Sequence, residues 1–101
     1  MENLKKLLSA IGKSYDKQSC MISLLSDNGI DIIPNGGDKL GNCYYSNCYK
    51  VYSDKELTKE FILYLRDLNL IGYGQECSIY REEVLNNRYC YSIVNRVDSS
   101  D

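Results

Sequence analysis

The chain holds five cysteines, Cys20, Cys43, Cys48, Cys77 and Cys90, and no histidine. That combination decides which chemistry is open to it. Without imidazole there is no Ser-His-Asp or Cys-His nucleophile, no histidine acid–base step and no histidine metal ligand. A four-cysteine zinc site would want paired C-x-x-C knuckles. Here four residues separate Cys43 from Cys48 and twelve separate Cys77 from Cys90, so the spacing predicts no metal and no other cofactor. A Cys43–Cys48 disulfide is geometrically open if the two face each other across a tight hairpin. An odd cysteine count in a chain with no export signal instead favours reduced thiols packed as small hydrophobes.

The remaining candidates for catalysis are weak. Gly36-Gly37-Asp38-Lys39-Leu40-Gly41 has glycines and a lysine, but not in the Gly-Lys-Ser/Thr order that cradles phosphates before a helix, and reads as a surface loop. Glu82 and Glu83 are adjacent in a predicted strand and point to opposite faces. Asp27 and Asp31 flank Asn28-Gly29 and read as local caps. With no competent acid–base set, the sequence reads as non-enzymatic.

Tyrosine is the positive signal. There are 10 tyrosines against one Phe and no Trp. Tyr44, Tyr45, Tyr49, Tyr52, Tyr73, Tyr80, Tyr89 and Tyr91 gather where strands are predicted. Part of this set replaces Phe and Trp as cross-strand filler. Tyrosine is also enriched at protein interfaces, and eight are more than so small a core requires. The expected partner-binding residues are Tyr44, Tyr45, Tyr49, Tyr52 and Tyr73, with Arg81 and Arg88.

The elements that must position these residues are only partly marked. Leu4, Leu7, Leu8 and Ile11 recur at helical spacing and Gly12 is a natural stop. The segment 16–25 is open to two readings. As a helix it is capped by Asp16, buries Cys20, Met21, Leu24 and Leu25, and ends on Asn28-Gly29 as a left-handed cap. As a hairpin it turns at the same Asn28-Gly29 into 30–33. The adjacent apolar pairs favour the helix. Either way 30–33 is a short strand ended by Pro34, and Cys43 to Tyr52 is extended. Ser53-Asp54-Lys55-Glu56 has the capping-box pattern, predicting a helix from Asp54 to Leu68 with Asn69 as its stop. In the last third, Asn86-Asn87 predicts a two-residue turn between strands 76–85 and 88–97. That register puts Tyr80, Glu82 and Val84 on one face with Tyr89, Tyr91 and Ile93, against the capped helix.

The fold expected is therefore α+β: a small single domain over 1–97 with a polar tail at 98–101. Two short N-terminal helices (or a helix plus a hairpin) and a capped central helix pack with a C-terminal β-hairpin on a small antiparallel sheet. A hydrophobic fraction of 44% and a charged fraction of 26% suit a folded domain. A chain of this length buries roughly two-thirds of its unfolded surface and can fold without staples. Net charge is −2, from 14 acidic and 12 basic residues interleaved, which disfavours a phosphate-neutralising surface. No stretch approaches the roughly 20 apolar residues of a membrane span, and Leu7 to Ile11 is too short for an export signal, so a cytoplasmic location is expected.

The predicted function is a protein-binding module that occludes a partner, in the manner of a small inhibitor or immunity-type protein. Abundant Asn, Ile, Lys, Tyr and Ser, with one Pro, match an AT-rich coding sequence, as in many low-GC bacteria, their phages and some large viruses, and a phage or mobile-element source is expected. A homodimer through an exposed edge strand at 43–52 is the expected mode of self-association. The alternative is a winged-helix-like DNA-binding regulator, with the helix from Asp54 in the major groove and Asn86-Asn87-Arg88 at the wing tip. Its outward face would carry Lys55, Lys59, Arg66 and Asn69, but also Glu56, Glu60 and Asp67, a mixture that suits DNA poorly.

Overall fold

The computed structural model describes residues 2–11, 17–36, 44–72, 74, 76–82 and 87–98, with Tyr44, Tyr45, Ser46 and Asp98 described through their backbone alone. The expected roles of Gly12, Asp16, Cys43, Tyr73, Asn86 and most of the 36–41 loop lie outside these residues. The order of elements is α1 (Glu2–Ile11), α2 (Lys17–Asp27), β1 (Ile30–Pro34), β2 (Tyr44–Ser53), α3 (Lys59–Asp67), β3 (Glu76–Arg81) and β4 (Tyr89–Asp98). All strand pairs are antiparallel, and the four strands lie side by side in the order β1-β2-β4-β3. This is an α+β domain of two layers, helices on one face of a small sheet.

The segment 17–27 is helix and not hairpin. Met21 and Leu25 are buried one turn apart and Leu24 packs beside them, while Cys20, placed by the sequence in the same stripe, is exposed. The helix ends on Gly29 at φ +80°, whose N–H donates to Ser26 O at 3.0 Å. The positive φ is what favours glycine here; a β-carbon at Gly29 would also press on the Asp54 carboxylate and displace it. In α1, Leu4 and Leu8 are buried and Ile11 half-buried, whereas Leu7 stays 52% exposed.

The central helix starts later than the capping-box pattern predicts. Ser53 belongs to β2, paired with Ile30 and Tyr89, and its hydroxyl accepts from Lys55 N at 3.1 Å instead of from Glu56. Residues 54–57 then cross from the sheet to the helix layer. The real cap is Thr58, whose Oγ1 accepts from Phe61 N at 3.1 Å. Leu57 and Ile62, on either side of that cap, are both buried, as in a hydrophobic staple. The Tyr91 hydroxyl fixes the crossing by accepting from Leu57 N at 2.8 Å. Asn69 does end the helix: its φ is +62°, its N–H donates to Arg66 O at 2.9 Å, and Leu70 N donates to Leu65 O at 3.1 Å. That pair of bonds is the Schellman pattern, closed by buried Leu65 and Leu70.

The hairpin register departs from the two-residue turn by one position. Arg81 faces Tyr91 and Ile79 faces Ile93. Glu82 N donates to Cys90 O at 2.9 Å, and β4 begins only at Tyr89. Asn87 has the positive φ expected of it, +63°, but the connection is longer than two residues. A slip of one residue turns every β3 side chain to the other face. Cys77 and Ile79 thus face the helices, and Tyr80 faces away.

The covered face of the sheet carries Ile30, Val51, Tyr91 and Ile93, all buried with Leu8, Met21, Leu25, Phe61, Ile62 and Leu65 from the three helices. Burying each such side chain stabilises the fold by about 1.5–3 kcal/mol before entropy is counted. Asn95 sits on this face with no exposure, and its Nδ2 donates to Ile71 O at 2.7 Å and Asn47 Oδ1 at 2.9 Å. The expectation of a free edge at 43–52 fails where β1 pairs with β2, from Tyr49 to Ser53. β2 is an interior strand, bonded to β4 throughout and to β1 from Tyr49 to Ser53; β1 and β3 are the edges.

Candidate functional site: the uncovered face of the sheet

Strand alternation places Ile33, Cys48, Lys50, Tyr52, Ser78, Tyr80, Ser92 and Val94 on the side opposite the helices. Ile33 and Tyr80 sit in one row across the sheet, with Lys50 and Ser92 between them. They are 49% and 58% exposed and stand on the two edge strands, about 14 Å apart by strand spacing. Tyr52 is half-buried beside them.

A polar cluster lies in the middle of this surface. Lys50 Nζ is 2.5 Å from Glu82 Oε1, and the Cys90 thiol donates to Glu82 Oε2 at 3.3 Å. The bond to Glu82 pushes the Lys50 pKa up, and the bonds from Lys50 and then Cys90 pull that of Glu82 down. Burial, followed by the neighbouring Glu82 carboxylate, pushes the Cys90 thiol up. Lys50 and Cys90 therefore both hold their protons at neutral pH, which makes each a poor nucleophile. Arg96 and Glu76 form a looser pair, at 3.6 Å, on the same face. The surface thus exposes Ile33 and Tyr80 on its two edge strands, beside ion pairs that compensate one another and that include Asp31 and Glu76 of the same strands.

The residues expected to bind a partner are not brought together. Tyr52 lies on the uncovered face. Tyr49 lies on the other, packed against the core, where a β-carbon on Gly72 would meet its ring. By register Tyr44, opposite Asp98, is in step with Tyr52, and Tyr45, opposite Val97, is in step with Tyr49. Arg81 is on the helix side of β3. It pairs with Glu56 at 2.6 Å, with its guanidinium 4.9 Å from the centre of the Tyr89 ring.

Arg88 is engaged within the fold. Its Nη2 is 2.8 Å from Asp31 Oδ2 and 2.9 Å from Gly29 O, and its Nε is 2.9 Å from Asp54 Oδ1. The Ser26 hydroxyl adds a bond to Asp31 at 2.8 Å. Asp31 is thus held by Ser26 and Arg88 together, and both lower its pKa, Ser26 the more. Tyr80 lies outside the expected set, and the hairpin register is what brings it to this face.

Among the described residues no group of three or more Cys, Asp or Glu side chains is placed to hold a metal ion. Among the same residues no helix is long and apolar enough to cross a membrane. No protein-family model, curated protein or solved structure matches this chain.

Proposed function

We propose that this domain is a non-enzymatic protein-binding module that occludes a partner protein through the uncovered face of its sheet, as a small inhibitor or immunity-type protein does. The observation that carries this reading is the row Ile33-Lys50-Ser92-Tyr80, with large apolar and aromatic side chains exposed at both ends. Aromatic and aliphatic side chains around a compensated polar centre suit the middle of a protein interface. The compositional bias that matches AT-rich coding sequence is in keeping with a phage or mobile-element source.

The DNA-binding alternative has less support. The exposed side chains of α3 include Lys59 but also Glu60 and Asp67, and the Arg66 guanidinium donates to Gly74 O. The deciding experiment is quantitative affinity capture with the wild-type chain and a Tyr52→Ala/Tyr80→Ala variant, beside a low-salt gel shift on mixed duplex. A stoichiometric protein recovered by the wild type and lost with the variant supports the proposal. Equal recovery by both, or a gel shift with no protein recovered, rejects it.

A further inference from the structure

We propose that the cavity between the start of α1 and the end of β2 binds a small carboxylate with a short apolar tail. The cavity measures about 170 Å³ and is lined by Asn3, Leu4, Asn28, Ile30, Ser53 and Lys55. A cavity of about 150 Å³ holds a benzene-sized molecule, so the space suits roughly six to eight heavy atoms. It opens at the helix-layer end of the sheet: Ile30 and Ser53 pair with each other on the covered face. The site is separate from the surface assigned to partner binding and does not depend on that reading.

Its lining divides by chemistry. Leu4 and Ile30 are 8% and 3% exposed and form an apolar wall of the core itself. Two of the polar groups already serve the fold. The Ser53 hydroxyl donates to Lys55 O at 2.6 Å and accepts from Lys55 N at 3.1 Å, and Asn28 Nδ2 donates to Leu24 O at 2.8 Å. The Lys55 ammonium and the Asn3 carboxamide have no partner among the described residues. Among those residues, too, no carboxylate lines the cavity, so Lys55 gives the lining a net positive charge. A few convergent polar groups over an apolar wall are the usual make-up of a small-molecule site. An ammonium and an amide among the lining residues favour an anion with planar oxygens, and the wall favours a tail of a few carbons.

The test is a ¹H–¹⁵N titration of the full chain with butyrate at constant ionic strength, compared with neutral butyramide and with acetate. The expected result is saturable shifts confined to residues around Leu4, Ile30 and Lys55. Binding should be at least about fivefold weaker for butyramide, which lacks the charge, and for acetate, which lacks the tail. Lys55→Met should weaken butyrate about fivefold or more while Lys59→Met, on the outer face of α3, leaves it unchanged. Both lysines are exposed, so neither change threatens folding. Shifts that do not saturate, that spread over the molecule, or that are equal for the three probes or for the two variants would overturn the proposal.

Discussion

Arg88 Nη2 lies 2.8 Å from Asp31 Oδ2, joining the first residue of the hairpin's return to an edge strand on the far side of the sheet. The same guanidinium reaches Gly29 O and Asp54, so one side chain ties the α2–β1 turn to the end of β2 and the start of β4, which lie side by side. Arg88→Met should lower stability by about 1–2 kcal/mol, mostly through the lost bond to the Gly29 carbonyl, because the ion pairs are partly solvated. Asp54→Asn should cost less, since Asp54 is the more exposed partner. Urea midpoints of the two variants check the order.

Acid should act on the same cluster. The pKa of Asp31 is lowered in the fold by Ser26 and Arg88, so its contribution is present above the unfolded value and lost as pH falls through the folded one. Glu82, lowered by Lys50, adds a loss of the same sign. The wild type should therefore hold its stability from neutral pH down to about pH 4 and lose it progressively below. Asp31→Asn should start lower and fall less steeply. Denaturant midpoints measured from neutral pH to about pH 2.5 give the comparison.

Gly29→Ala places a β-carbon at φ +80° and against the Asp54 side chain. It should destabilise by about 1–3 kcal/mol. Asn69→Ala, at φ +62° where a β-carbon is already in place, should cost about 1 kcal/mol. Thermal unfolding of the two variants separates the steric part from the backbone part.

The thiols should react in order. Cys20 is exposed, Cys77 is half-buried with its pKa pushed up by burial, and Cys90 is buried beneath its bond to Glu82. Brief alkylation of the native protein followed by peptide mass analysis should label Cys20 first and Cys90 last. Early labelling of Cys90 would contradict the packing around Lys50 and Glu82.

What the sequence reveals and what it hides follow from particular residues. Leu4 and Leu8, and Met21 with Leu25, are legible because a helix that buries one stripe must repeat at its own period. Asn69 is legible because few residues accept the left-handed conformation. The start of α3 is not, because Ser53 satisfies the capping spacing while serving as the last residue of β2, and the chain needs residues 54–57 to change layers. Tyr80 is hidden for a related reason. In Glu76-Cys77-Ser78-Ile79-Tyr80-Arg81 both alternating sets contain a large apolar residue, so only the length of the connection to β4 decides which set faces the core. Tyr49 and Tyr52 sit three apart in one strand and so fall on opposite faces, which divides the tyrosines that composition groups together.

The central claim is that the uncovered face, and not the helix layer, is the binding surface. Leu7 and Ile22 are also exposed, on α1 and α2, and supply the control. The direct measurement is the dissociation constant of the captured partner for an Ile33→Arg/Tyr80→Arg variant and for a Leu7→Arg/Ile22→Arg variant, each first shown to unfold near the wild-type midpoint. The open-face pair should weaken binding by about 30-fold or more, as expected for the loss of interface anchors, while the helix-layer pair stays within about threefold of wild type. The reverse ranking would contradict the account.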